Sequence, residues 1–125
     1  MINILVAEDN PVNRELVREL LETRGYNVIE ACDGEGALQM IAESPPDLVL
    51  LDLGMPVLDG FGAIRKIRAN PRWANLPVLA VTAYAMHGDR DRIIRSGFDG
   101  YLSKPINSEL LFQELTRLLK KTVRM

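Results

Sequence analysis

The chain has 125 residues with 15 basic and 17 acidic side chains, which gives a formal net charge of −2. This length predicts one domain with one core, and the balanced charge makes nucleic acid and anionic membranes unexpected partners. The single cysteine, Cys32, excludes an intramolecular disulfide and is expected to be buried or half-buried. Because the first residues lack the features of a signal peptide, we expect a cytoplasmic protein.

Five short apolar runs predict β-strands, at residues 2–7, 27–31, 47–52, 77–82 and 100–102. Segments with apolar residues at helical spacing follow them, as at Leu16, Leu20 and Leu21. The first, third and fourth runs are apolar almost throughout, as expected of strands that helices cover on both faces. The alternation predicts an α/β fold, a single doubly wound (βα)5 flavodoxin-like domain with a parallel five-stranded sheet in the order 2-1-3-4-5.

Capping residues agree with these elements. Asn10 followed by Pro11 predicts the start of the first helix, and Gly25 can supply the left-handed residue that ends it. Asp33-Gly34 and Asp59-Gly60 mark other boundaries. Since no Ser- or Gly-rich linker interrupts residues 1–125, we expect one domain without an output domain.

Polar side chains stand where the predicted strands end. Glu8 and Asp9 follow the first strand, Asp52 ends the third, Thr82 ends the fourth and Lys104 follows the fifth. Each residue alone could be a helix cap or a solvated side chain. The carboxyl ends of parallel strands share one edge, however, where α/β proteins bind ligands. Together the five residues therefore indicate a site.

The chemistry of this set favours phosphoryl transfer. Three adjacent carboxylates repel one another unless a cation lies between them, and oxygen ligands without His or Cys favour Mg²⁺. Lys104 and the Thr82 hydroxyl can contact phosphoryl oxygens, and Asp52 can act as a carboxylate nucleophile. We expect Gly54 to free the backbone after Asp52 and Pro56 to fix the exit of the loop.

Four motifs, "VAEDN", "LLDLGMPVLDG", "AVTAYA" and "YLSKPI", resemble those of the receiver domain of two-component response regulators, chemotaxis regulators included. The resemblance covers essentially the whole chain. It implies that Asp52 accepts a phosphoryl group, that Thr82 and Lys104 contact its oxygens, and that Thr82 and Tyr101 form a switch. It also implies a Mg²⁺ site formed by Glu8, Asp9, Asp52 and the backbone carbonyl of Gly54.

The same resemblance implies partners. The phosphoryl donor would be a histidine kinase or a histidine phosphotransfer protein. The downstream protein would bind the face formed by the fourth helix, at roughly residues 86–96, the fifth strand and the fifth helix. On this face we expect a basic surface, although a solvated helix face explains the same charges; its members are Arg90, Arg92, Arg95 and Arg117.

Gly54 differs from the residue found in many members of the family, and for the Lys104-Pro105 bond the family and the general preference of X–Pro bonds disagree. Position 54 is Gly, so any tuning of phosphoryl hydrolysis by a side chain there is absent. Lys104-Pro105 resembles a bond that is cis in the family, but X–Pro bonds are mostly trans, so the sequence alone predicts trans.

Three alternatives remain open. The chain could be a receiver module from a hybrid histidine kinase. A haloacid-dehalogenase-type phosphatase would need a second Asp two residues after Asp52, where Gly54 stands. A flavodoxin-like cofactor binder would need a hydroxyl-rich loop in place of the acidic "EDNPVNR". A receiver would catalyse only its own phosphorylation and dephosphorylation, and His87 is expected to be solvated, without a catalytic role.

Overall fold

In the computed structural model, which describes residues 1–83 and 89–123 with side chains through Lys120, strands and helices alternate along the chain. The strands are β1 (Asn3–Ala7), β2 (Asn27–Ala31), β3 (Leu48–Asp52), β4 (Val78–Thr82) and β5 (Gly100–Ser103). The helices are α1 (Pro11–Thr23), α2 (Gly34–Glu43), α3 (Gly60–Ala69), α4 (Asp89–Arg95) and α5 (Ser108–Val123). A 3₁₀ turn, Pro71–Trp73, precedes β4.

The five strands form one parallel sheet in the order β2-β1-β3-β4-β5. The predicted flavodoxin-like α/β fold and strand order are therefore confirmed. Every residue of β3 and β4 is buried, as their continuous apolar sequences predict. Among the described residues, no helix combines the length and apolar character needed to cross a membrane.

Two apolar layers cover the sheet, because successive side chains of a strand point to opposite faces. Val6, Leu50 and Leu102 face α1 and α5. Ala80 and Tyr101, which pair across β4 and β5, face α2, α3 and α4. The same alternation places the polar residues at the strand ends. Glu8, Asp52 and Lys104 lie on the face that α1 and α5 cover, and Thr82 lies on the face that α2, α3 and α4 cover.

The predicted helix caps are present. The Asn10 side chain accepts hydrogen bonds from the backbone N–H groups of Val12 and Asn13, at 2.9 and 3.1 Å. Asp33 and Asp59 cap α2 and α3 in the same way. These bonds satisfy N–H groups that have no partner within the helix, which explains where each helix begins.

The loop between β3 and α3 corrects one prediction. Gly54 does not have a positive φ, and a Cβ built there would meet only Asp52 Oδ1, at 3.9 Å. The left-handed residue is Val57, with φ 67°, inside a γ-turn in which Leu58 N–H donates to the Pro56 carbonyl at 2.8 Å. A single-residue propensity favoured the glycine, but the packing of the whole loop sets the backbone.

Two further predictions are wrong. The Lys104-Pro105 bond is cis, not trans. The trans prediction used only the average preference of X–Pro bonds, whereas Lys104 is held at both its backbone N–H, which donates to the Thr82 carbonyl, and its ammonium group. Cys32 is exposed because it lies in the loop after β2, beyond the cover of the helices.

Some predictions fall partly or wholly beyond the described residues. The fourth helix was expected at roughly residues 86–96, and α4 covers Asp89–Arg95. His87 lies outside the described residues.

Candidate functional site

Three charged side chains meet where β1, β3 and β5 end. Glu8 and Asp52 are buried, with 6% and 5% of their surface exposed. The Lys104 ammonium lies 2.8 Å from Glu8 Oε1 and 2.9 Å from Asp52 Oδ2. One cation therefore joins two carboxylates that come from positions 8 and 52 of the sequence.

The second oxygen of each carboxylate accepts a backbone hydrogen bond. Asp52 Oδ1 accepts from Gly54 N–H at 3.1 Å, and Glu8 Oε2 accepts from Asn10 N–H at 3.3 Å. Asp9 is exposed beside them, and one oxygen from each of the three carboxylates lies within 4.8 Å of the others. Such a set of hard oxygen ligands, with more negative than positive charge, fits a divalent cation.

The protonation of the two buried acids differs. Burial, together with the hydrogen bond to Asp52, raises the pKa of Glu8 to about 7. Burial opposes ionisation of Asp52 as well, but hydrogen bonds from Glu8, Lys104 and the Gly54 N–H outweigh it and lower the pKa of Asp52. Burial also opposes the charged form of Lys104, yet its two carboxylate partners raise the pKa of its ammonium. Asp52 therefore loses its proton at a lower pH than Glu8 does.

These groups open into a cleft of about 780 Å³. The cleft brings together six of the seven residues predicted from the sequence: Glu8, Asp9, Asp52, Gly54, Thr82 and Lys104. The seventh, Tyr101, lies outside the lining and is half-buried on the face that α4 covers. The Arg90 guanidinium lies 6.0 Å from its ring centroid.

Among the lining side chains that sequence reasoning did not assign to the site are Asp59, Phe61 and Arg92. Asp59 was identified only as a helix cap, and Arg92 was assigned to the outer basic face. The Arg92 guanidinium instead lies 4.1 Å from the Phe61 ring centroid. No local sequence signal shows that these two helices face each other there, since α3 and α4 are placed by the sheet.

A buried, ionised aspartate at the switch point of a doubly wound sheet, beside further acids and a lysine, defines a phosphoacceptor module. The family model of the response regulator receiver domain matches residues 4–116. The chain belongs to this family and is a phosphoacceptor switch of two-component signalling. Receiver domains bind Mg²⁺ at an acidic pocket and interact with histidine kinases or phosphotransfer proteins.

Relatives include free-standing regulators and parts of large kinases. The chain is 41% identical over 128 residues to the hybrid signal transduction histidine kinase I of Dictyostelium discoideum, covering 96% of this chain but 7% of that protein. It is 38% identical to the polar-differentiation response regulator DivK of Brucella anthropi, covering 84% of this chain and 85% of DivK.

One similar solved structure contains a metal ion. The receiver domain of the sensor histidine kinase PA1611 from Pseudomonas aeruginosa, with a magnesium ion coordinated in its active-site cleft, is 37% identical. Its TM-score is 0.88, and the alignment covers 95% of this chain and 98% of that one.

Proposed function

We propose that Asp52 is the residue that accepts the phosphoryl group, from a phosphohistidine on a histidine kinase or a histidine phosphotransfer protein. The observation that carries this proposal is the buried Asp52 carboxylate, which Lys104 and the Gly54 N–H hold ionised at the floor of the cleft. A rigid strand end positions the nucleophile, and an ionised carboxylate needs no base to activate it.

The transfer is an in-line displacement. An Asp52 oxygen forms a bond to phosphorus as the bond from phosphorus to the donor imidazole nitrogen breaks, and that nitrogen keeps the electron pair. Lys104, on the same cleft wall, balances charge on the phosphoryl oxygens, and the Thr82 hydroxyl donates a hydrogen bond to one of them. The product is an acyl phosphate. The protein modifies itself and turns over no metabolite.

Mg²⁺ is the cofactor we propose for this step. Glu8, Asp9 and Asp52 would hold it with the Gly54 backbone carbonyl, and the oxygen donors close to one another fit such an ion. When bound, it neutralises charge between the carboxylates and the incoming phosphoryl group. Binding requires Glu8 to be ionised, so it competes with the proton that the raised pKa of Glu8 retains.

A groove beside the cleft is the surface that we propose for binding of the donor protein. This α1 groove, of about 370 Å³, is lined by Leu16, Val17, Leu20, Pro105 and Ile106, together with Asn13. Glu8, Asn13 and Lys104 line both the α1 groove and the cleft, so the two are continuous. Leu16 is 55% exposed there. We assign the groove to the apolar face of the donor helix that carries the phosphohistidine.

A donor comparison tests this assignment. Leu16→Ala should slow transfer from a phosphorylated histidine phosphotransfer protein about fivefold or more, while transfer from acetyl phosphate stays unchanged. Leu110→Ala is the matched control, because Leu110 is 51% exposed on α5 and outside the groove. Equal rates for Leu16→Ala and the wild type with the protein donor would reject the docking site.

Downstream, we propose that the switch residues Thr82 and Tyr101 report phosphorylation to the face formed by α4, β5 and α5. The sheet register supports their coupling, since Tyr101 pairs with Ala80 and the Thr82 side chain follows on the same face. Arg90, Arg95 and Arg117 are exposed on these elements and would contact a protein partner. Thr82→Ala should bind a phosphoryl mimic but lose most of the gain in partner or self-association.

The receiver family also suggests the unit in which this chain acts and its cellular compartment. We propose that residues 1–125 act as one receiver unit, either alone or as the receiver of a hybrid kinase, and that they act in the cytoplasm without binding nucleic acid or membrane. The exposed, unpaired Cys32 thiol suits a reducing compartment.

Intact-mass spectrometry tests the acceptor. Incubation with Mg²⁺ and acetyl phosphate should give one phosphoryl adduct that hydroxylamine removes, and Asp52→Asn should give none. Asp59→Asn is the matched control, because Asp59 lines the same cleft and an asparagine can still cap α3. This variant should keep the adduct. A full adduct on Asp52→Asn would exclude Asp52, and continuous turnover of phosphate esters would favour the haloacid-dehalogenase alternative.

A further inference from the structure

The cleft has a second cation that the proposed transfer does not use. Lys104 already pairs with Glu8 and Asp52. Arg92, on α4, lines the same cleft as Asp52 and is exposed. Within residues 1–83 and 89–120, the ion pairs involve other cations, and no carboxylate lies within 4.0 Å of Arg92.

In place of a carboxylate, Arg92 contacts an aromatic ring. Its guanidinium carbon lies 4.1 Å from the centroid of Phe61, on α3. The Phe61 ring in turn meets the buried Phe98 edge-on, with centroids 6.3 Å apart and planes at 83°. The ring is therefore fixed to the core, while the arginine side chain on it is open to the solvent of the cleft.

Phosphorylation changes the balance between two partners for this guanidinium. A phosphoryl group on Asp52 adds a charge of about −1.5 to −2 and strong acceptor oxygens to the cleft. A planar guanidinium forms paired hydrogen bonds with such a group, and these bonds are stronger than an exposed cation–π contact.

We propose that Arg92 exchanges the Phe61 ring for the phosphoryl group when Asp52 is modified, and so is a phosphoryl-binding residue that ties α4 to the cleft. This inference rests on the proposed acceptor role of Asp52. It supplies a connection from the site to α4 that acts beside Thr82 and Tyr101. In the unmodified protein the same guanidinium joins α4 to α3 through the ring.

Binding of beryllium fluoride, a phosphoryl mimic, in the presence of Mg²⁺ tests the exchange. Arg92→Gln should raise the apparent dissociation constant of the mimic at least fivefold, and the difference should shrink at high salt because the contact is exposed. Arg65→Gln is the matched control, since Arg65 is an exposed arginine on α3, the helix that carries Phe61, and does not line the cleft. This control should bind the mimic within twofold of the wild type.

NMR gives an independent readout. In the free protein the Arg92 side-chain protons should be shifted upfield by the Phe61 ring, and the mimic should remove that shift. If Arg92→Gln binds the mimic as tightly as the wild type, or if the ring shift persists in the mimic complex, the exchange is wrong. If the wild type binds no mimic and forms no hydroxylamine-sensitive adduct, the proposed acceptor function itself fails.

Discussion

The two edges of the sheet use charged residues in opposite ways. At the amino edge, Asp47 accepts from Asn3 N–H at 2.7 Å, and Asp99 accepts from Val78 N–H at 2.8 Å and from Arg68 at 2.9 Å. At the carboxyl edge three carboxylates lie close together, and only two of them, Glu8 and Asp52, pair with the one ammonium of Lys104. The first edge satisfies its charges within the polypeptide, and the second leaves negative charge for a ligand.

The comparison of the two edges shows that residue type alone does not distinguish a structural aspartate from a functional one. Asp99 precedes β5 and Asp52 ends β3, and both accept backbone hydrogen bonds. Asp99 is exposed and pairs with an arginine that has several other partners, whereas Asp52 is buried among acids. Burial with like charge raises the free energy of the unliganded site, and a bound cation can relieve it.

The largest effect should come from the amino edge. The Arg68 side chain donates to the carbonyls of Gly97 and Leu76 at 2.9 and 2.8 Å, and also to Trp73 and to Asp99. Arg68→Ala should lower the free energy of unfolding by about 3 kcal/mol, because several acceptors lose their partner.

Urea denaturation measures this loss. The exposed neighbour Arg65 is the control, and Arg65→Ala should change stability by less than about 0.5 kcal/mol. The folded Arg68→Ala protein should still form the Asp52 adduct. A stability within the range of Arg65→Ala would refute the structural role of this edge.

The carboxyl edge should respond to metal instead. Mg²⁺ at a hundredfold excess over its dissociation constant should stabilise the fold by about 2.7 kcal/mol through mass action. Asp9→Asn should remove most of this gain, whereas Asp47→Asn, at the other edge, should keep it. Thermal melts with and without Mg²⁺ measure both, and an unchanged response in Asp9→Asn would count against Asp9 as a ligand.

Acid should weaken that metal response. The pKa of Glu8 is raised to about 7 from 4.5, so the folded protein retains a proton there that Mg²⁺ must displace. The affinity for Mg²⁺ should therefore rise with pH and be about tenfold higher at pH 8 than at pH 6. Without metal, this group should make the fold less stable as pH rises from 4.5 through 7.

Calorimetric titration at pH 6 and pH 8 checks this prediction. In Glu8→Gln the remaining affinity should change little between the two values. Equal affinities of the wild type at both pH values would contradict it.

The smallest effect concerns backbone strain beside the acceptor. Val57 is 74% exposed and has φ 67°, which is unfavourable for a β-branched residue. Val57→Asn should raise the free energy of unfolding by about 1 kcal/mol, because asparagine is accepted at positive φ more readily than a β-branched residue. Val12→Asn, at an exposed helical position, should give no gain. Equal effects of the two substitutions in denaturation would mean that strain at Val57 is negligible.

Most of the fold and six cleft residues could be predicted from the sequence because their signals are local. The apolar runs of β3 and β4 predict buried strands, and Asn10 and Asp59 predict helix starts. The order of the strands in the sheet had to be chosen among the few topologies that right-handed connections allow.

The sequence by itself therefore determined the alternation of strands and helices and the placement of Glu8, Asp52 and Lys104 at one edge of the sheet. Both depend on strand ends and on the two-residue period of strands, which are set by residues adjacent in the chain. Only the tertiary structure decided the cis bond before Pro105, the left-handed Val57 and the Arg92 guanidinium on Phe61. Each of these depends on residues that are distant in the chain or on the packing of a whole loop, and no single-residue preference contains that information.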